Sequence, residues 1–564
     1  MTPAVPTGVH ARAPGEPGAR AGRPRRWFSP QPNVPGRGIV ASYTLRFWSI
    51  VVAIGVIAGL GAIALMKLLH FVEHVAYGYR SGSFLHGAAA AASWRHVLAL
   101  GIAALLVALG AFLLQRLPPS GAAEVSDALW VHGARMPLIE SFARAVLSIV
   151  TVGLGSSLGR EGAPQVVGAA SASRLADWAQ IPIWQRRLLV ASGAGAGFAA
   201  VYNVPLGGSL FALEVLLGTV SLPLVLPALA TAVIATAVGW IGLGTHPTYE
   251  LPAYHLAASQ MIWALLAGPL IGAVAIGWVR LVRRAARMRP RRWGRYVAPF
   301  VVLLILGAVS IAYPQLLGNG KGVVQLEAVG RVSLGLAVVL LVLKPLATAA
   351  CLGSGSPGGL FTPSLTVGVL LAGILGTLWS HIWPGAPLGS YAVIGGGAFL
   401  AAVMQGPLSG VVLVLELTRN FDALMAPTLL AVIEATVFAR RLGAPSIYSA
   451  RVHAPDEDAS VEALGDPPSD ALPDDAAAVF GTRTPGAGER AAGTTEPAAG
   501  TTERAAGAER APGAGWAAGA GAPGGGRAGA ERSGDGQRPA GPKRTGAQRP
   551  VAPAAAEGLV DPEG

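Results

Sequence analysis

Charge is scarce in this chain: Asp, Glu, Lys and Arg make up 13% of its 564 residues, against about a quarter in soluble domains. With 52% hydrophobic residues and a mean hydropathy of +0.52, the composition excludes an ordinary soluble domain and implies a membrane protein. Cysteine is nearly absent too. Cys351 stands alone, which excludes an intramolecular disulfide and a cysteine metal cluster, and its apolar surroundings imply a packed thiol. The histidines are scattered, and no nucleophile, base and orienting residue fall together. Neither an enzyme, a cofactor nor a metal site is expected.

The charge that is present is clustered. The formal net charge is +12. Arg12, Arg20, Arg23, Arg25, Arg26 and Arg37 precede the first apolar run, while Arg280, Arg283, Arg284, Arg287, Arg289, Arg291, Arg292 and Arg295 crowd one connection. The positive-inside rule puts both regions, and with them both termini, in the cytoplasm. Juxtamembrane basic residues account for these runs, so nucleic acid is not an expected partner. Residues 1–40, rich in Pro, Gly and Arg, read as disordered. They lack the form of a cleaved signal peptide. Residues 452–564 are Ala/Gly/Pro/Glu/Arg low complexity and read as a disordered cytoplasmic tail. The Ala, Gly, Arg and Pro bias suits a GC-rich bacterial genome, hence the bacterial inner (plasma) membrane.

Apolar segments lie near 44–70, 97–116, 139–155, 186–218, 222–243, 258–282 and 296–317. Others follow near 332–350, 363–383, 390–418 and 424–439. Several are too short, or too broken by Gly and Pro, to cross about 30 Å as one helix. Broken helices are tolerated where they line an enclosed site.

One stretch, LGSSLGREGAPQVVG from Leu154 to Gly168, places Arg160 and Glu161 among small residues within apolar sequence. An intramembrane acid is costly and implies function. Gly159, Gly162 and Ala163-Pro164 suit a helix start, and a helix that begins inside a membrane presents bare N–H groups and a positive dipole end to an anion. Glu161 is that anion when nothing else is. A salt bridge with the adjacent arginine is the competing reading, although neighbours on a helix point in different directions.

The chain also repeats itself. Residues 193–214 lie on 395–416 without a gap, with 11 of 22 positions identical, including Pro205/Pro407, Leu206/Leu408, Gly208/Gly410 and Glu214/Glu416. At nearly the same offset, 159–168 lies on 359–368, matching Gly159 to Gly359 and Gly168 to Gly368. Two fused halves with interrupted helices at corresponding places point to a site at their interface near mid-membrane.

Over roughly 41–450 these residues resemble the CLC family of chloride channels and chloride/proton exchangers. The G-(R/K)-E-G-P motif reads Gly159-Arg160-Glu161-Gly162-Ala163, with Pro164 one place late. G-x-F-x-P is met by Gly359-Leu360-Phe361-Thr362-Pro363. G-S-G-I-P is met in part by Pro119-Ser120-Gly121-Ala122-Ala123, and the family's anion-binding tyrosine matches Tyr448 in SIYSA. The resemblance implies an all-α polytopic membrane protein of two fused, inverted repeats, 41–245 and 255–451, in a transmembrane domain 41–451. It further implies a homodimer in the lipid bilayer with one anion path per subunit. Glu161 would be the gate. Ser120, Arg160, Gly162, Leu360, Phe361 and Tyr448 would form the anion site, with Arg160 adding positive potential rather than direct coordination.

The chemistry is coherent. Chloride is weakly hydrated, and neutral hydroxyl and N–H donors hold it without trapping it. Glu161 buried in such a path would have a pKa sensitive to its occupant. Taken singly, Ser120 is a turn residue, Tyr448 an interfacial anchor and Phe361 core; their joint occurrence with the repeat points to a pore. The family's exchangers usually carry an inner proton-accepting glutamate directly after the position of Glu214, and here that residue is Val215. A passive, glutamate-gated chloride channel is therefore expected, with nitrate and bromide as co-permeants. A chloride/proton antiporter using Glu161 without the inner acid is the alternative, and protons would then be a second partner. Glu214 could stand in for that acid, but its repeat partner Glu416 argues for a shared structural role. A rocking secondary transporter of an organic solute fits the span count, and a membrane-anchored scaffold fits the tail. Neither predicts Ser120, Glu161, Phe361 and Tyr448 together.

Overall fold

In the computed structural model the described residues are 43–114, 116 and 124–449. The expectations for 1–40, for Ser120 and for the tail 452–564 fall outside them. The described residues are helical, and their isolated β-bridge joins Gly159 to Gly359.

The first half comprises α1 (Leu45–Tyr77), α2 (Phe84–Ala90), α3 (Ser93–Leu114), α4 (Val125–Trp130), α5 (Leu138–Gly153), α6 (Gly162–Trp178), α7 (Ile183–Tyr202), α8 (Pro205–Leu217) and α9 (Leu222–Leu243). The second comprises α10 (Ala258–Arg287), α11 (Gly294–Ala312), α12 (Lys321–Ala328), α13 (Leu334–Ser354), α14 (Phe361–Ser380), α15 (Leu388–Met404), α16 (Pro407–Thr418) and α17 (Phe421–Arg441). Eight of these, α1, α3, α9, α10, α11, α13, α14 and α17, are long and apolar enough to cross a membrane. Exposed apolar side chains mark the surface they offer to lipid: Leu98, Ile102, Leu105 and Leu109 on α3, Val297, Val301 and Ile305 on α11. A water-soluble protein does not display so much contiguous apolar surface.

The apolar runs 186–218 and 390–418 each prove to be two helices. Asn203 and Gln405 adopt left-handed backbone angles, φ 57° and 59°, and close α7 and α15 by donating to Ala199 O and Ala401 O. Pro205 and Pro407, whose missing N–H costs nothing in a first turn, then begin α8 and α16. The two breaks are repeat-equivalent. α7 and α15 are buried along nearly their whole length, as helices at the centre of a bundle are. Their Gly- and Ala-rich stretches, 193–200 and 395–402, let neighbours approach closely. A side chain at Gly168 on α6, for instance, would run into the Gly193 carbonyl.

The halves are stitched to each other reciprocally. Glu214 on α8 accepts from Leu408 N–H (3.1 Å), Ser409 N–H (2.6 Å) and Ser409 Oγ (2.7 Å) at the start of α16. Glu416 on α16 accepts from Leu206 N–H (3.1 Å) and Gly207 N–H (2.6 Å) at the start of α8. Each carboxylate satisfies first-turn donors that their own helix cannot, so the two helices lie antiparallel, N-terminus to C-terminus. The halves differ within this pair: Phe211–Leu217 of α8 is wound as a π-helix, whereas α16 is α-helical throughout.

Candidate anion site

Two helices begin inside the bundle and face each other across the pseudo-symmetric interface. α6 starts at Gly162, with Glu161 as its N-cap residue, and α14 starts at Phe361, with Leu360 as its N-cap. The loops before them are paired by the Gly159–Gly359 bridge, Gly159 N–H to Gly359 O at 2.7 Å and Gly359 N–H to Gly159 O at 2.8 Å. Both glycines are required, because a Cβ at either position would occupy the space of the Glu161 carboxylate. The α5–α6 loop is held from behind by Lys344. Its buried Nζ donates to Leu316 O (3.0 Å) and Gly318 O (2.9 Å), and Gly318 N–H donates to Gly155 O (3.0 Å).

Glu161, 1% exposed, does not cap its own helix. Its Oε1 accepts from Phe361 N–H at 2.6 Å and, more loosely, from Thr362 N–H at 3.4 Å; its Oε2 accepts from Tyr202 Oη at 3.1 Å and Thr362 Oγ1 at 3.2 Å. The carboxylate thus occupies the N-terminus of α14, where aligned dipoles and unpaired N–H groups favour negative charge. Tyr202 Oη and Thr362 Oγ1 are also 2.6 Å apart. Two hydroxyl hydrogens serve three oxygen–oxygen contacts, so one contact lacks a hydrogen while the carboxylate is ionised. Protonation supplies the third and closes the ring.

The other expected site residues fall around this point. Arg160 is 8% exposed, with its guanidinium carbon 5.2 Å from the centre of the Tyr202 ring. Among the described residues it makes no ion pair with Glu161, so the salt-bridge reading does not hold. Phe361 packs its ring against Phe198 (4.7 Å) and Tyr202 (5.6 Å). Gly162, Leu360 and Tyr448 line, with Glu161, one cavity of about 170 Å³, room for an anion and some water. Tyr448 stands 5.3 Å from the Phe211 ring, and Arg144 and Arg289 line the same cavity. Val215, 6% exposed, is not among its lining residues and packs beside Gly406. Tyr202 and Thr362 are the residues that sequence reasoning missed. Tyr202 left one signal, as the repeat places Met404 opposite it.

A profile of the voltage gated chloride channel family matches residues 103–440. The chain is 30% identical over 416 residues to the H(+)/Cl(-) exchange transporter ClcA of Citrobacter koseri, covering 70% of this chain and 86% of that protein. It is 31% identical over 420 residues to the voltage-gated ClC-type chloride channel ClcB of Salmonella typhimurium, covering 71% and 97%. Among solved structures, a slow cyanobacterial Cl−/H+ antiporter superposes with a TM-score of 0.64 at 21% identity, covering 72% of this chain and 97% of the other. That likeness concerns the fold.

Proposed function

Because the chain belongs to the voltage gated chloride channel family, we propose that it carries chloride across the membrane through a passive path gated by Glu161. The observation that carries this reading is the seat of the Glu161 carboxylate on the Phe361 N–H at the start of a buried helix. A carboxylate there occupies an anion's place, and chloride passes when the carboxylate leaves. Tyr448, Gly162 and Leu360 line the cavity leading to that seat. Arg289, from the arginine-rich connection, lines it too, and the positive-inside rule makes this the cytoplasmic side. The position that the family's exchangers usually give to an inner glutamate is Val215 here, which supports the passive reading, although Glu124 also lines the cavity.

The same reading makes 41–451 the transport unit, in the bacterial inner membrane with both termini inside, and nitrate and bromide co-permeants. It also makes the protein a homodimer. One observation favours an antiporter instead. Glu161 itself lines the cavity, so water could deliver protons to it without an inner glutamate.

Chloride efflux from proteoliposomes with external pH recorded in parallel separates the two. Chloride flux without proton movement supports the passive path. Proton movement against the chloride gradient, abolished in Glu161→Ala, overturns it in favour of exchange. An absence of chloride flux overturns both.

A further inference from the structure

We infer that the exposed arginines at the end of α10 and in the α10–α11 connection are a docking surface for an acidic segment of the same chain, residues 456–475. Neither charge run enters the transport reading, so the inference stands or falls apart from it. Arg280, Arg283, Arg284 and Arg287 recur three and four positions apart, which sets them along one face of α10, and Arg291 and Arg292 follow. All six are exposed, and none forms an ion pair among the described residues. From Ile276 to Arg295 the chain has eight arginines and no acid. The 30 residues of α10 extend about 45 Å, against a hydrocarbon core of about 30 Å. Its arginine-bearing turns therefore project past the core into water.

Such a patch attracts a counter-charge, and the chain supplies one that matches in number. Between His453 and Arg483 it has eight acids, from Asp456 to Asp475, and no Lys or Arg. Acidic runs of this kind serve as interaction segments. Position brings the two runs together. Tyr448 and Arg289 line the same cavity of about 170 Å³, so the chain passes beside the arginine connection just before the acidic run begins. Asp456 is eight positions beyond Tyr448, a reach of up to about 28 Å when extended. Lipid phosphate stays at the headgroup level, whereas the tethered segment follows the arginines into water at a roughly millimolar effective concentration. Each exposed pair is weak alone. Eight charges against eight hold the segment together, and the contact stays sensitive to salt. Of the eight arginines only Arg289 lines the cavity, so docking on the exposed six covers the inner surface and leaves the path clear.

The test uses the full chain with Arg284→Lys and Arg287→Lys, which keep the charge and supply amines, in neutral-detergent micelles. A zero-length carbodiimide joins an amine only to a carboxylate in contact with it, and mass spectrometry reads the joined peptides. Bonds from positions 284 and 287 to acids of 456–475 should form at about 50 mM salt and fall about fivefold at about 500 mM, where screening is tighter. Adding Arg280→Gln, Arg283→Gln, Arg291→Gln and Arg292→Gln should lower them as far, because a segment held near only by its tether is indifferent to both changes. An absence of these bonds overturns the proposal, and so do yields that neither salt nor the substitutions move. Bonds found only between two chains, as a covalent dimer on a gel, overturn it in favour of a second copy's segment. Bonds kept in phosphatidylcholine nanodiscs and lost in phosphatidylglycerol ones overturn it in favour of lipid phosphate. If the glutamine variant does not fold, the salt series and the two lipids decide alone. Bonds formed by a chain that carries no chloride would support this inference and overturn the transport reading.

Discussion

Glu161 is held by four contacts, two from the Phe361 and Thr362 amides and two from the Tyr202 and Thr362 hydroxyls, and their removal should weaken its seat unequally. In Tyr202→Phe the carboxylate loses one hydroxyl donor and the oxygen ring is opened. A hydrogen bond to a charged group is worth about 1.5–3 kcal/mol, so displacement of Glu161 by chloride should become about tenfold easier or more. The check is initial chloride efflux at neutral pH, which should rise. Thr362→Val should act in the same direction, and no change in either variant would mean the hydroxyls do not hold the gate. At this scale the sequence was legible where chemistry is local. Gly159, Gly162 and Pro164 announced a helix start, and α6 begins at Gly162, although the Glu161 carboxylate sits on the first turn of α14 rather than of α6. Tyr202 and Thr362 did not announce their part, because what makes them functional is contact across 41 and 201 positions of chain, which no local pattern records.

At the scale of elements, the reciprocal caps of α8 and α16 give Glu214 a task unrelated to protons. Glu214→Ala leaves the Leu408 and Ser409 amides without their acceptor, and at about 1–3 kcal/mol for lost charged hydrogen bonds its melting temperature in detergent should fall. Any proton movement per chloride in folded protein should stay as in the wild type; altered coupling would restore Glu214 as a proton carrier. A second acid reports on α12, in the connection between α11 and α13. Glu327 is 5% exposed with Oε2 unpartnered among the described residues, and burial pushes its carboxyl up to about 7. Its folded pKa lies above its unfolded value, so the stability this group contributes is full below about 4.5 and lost as pH rises through about 7. Melting temperature should fall across that window and flatten in Glu327→Gln. The helix breaks at 203 and 405 were foreshadowed by Pro205 and Pro407. Helix α6 was hidden from hydropathy, because Gln165, Ser171, Ser173, Arg174 and Asp177 dilute its apolar signal although most of the helix is buried.

For the whole molecule, the two-half plan was legible because the repeat preserves the residues that shape backbone, Pro205/Pro407 and Gly208/Gly410, and those that join the halves, Glu214/Glu416. What the repeat could not convey was that equivalent residues meet one another, as Gly159 does Gly359. If 41–451 is the transport unit, a chain ending at 451 should carry chloride at the full-length rate in the same liposomes, and a loss of flux would give the tail a part in transport.

The crossed caps also impose an order in time. Leu206 and its acceptor Glu416 are 210 positions apart. At about 5–20 residues per second on the ribosome, the first turn of α8 exists for roughly 10–40 s before its carboxylate is made. Over that interval its amides have no protein acceptor at that place and must be kept with water or with the insertion machinery. The α8 cap on the first half is therefore completed only once the second half has been made.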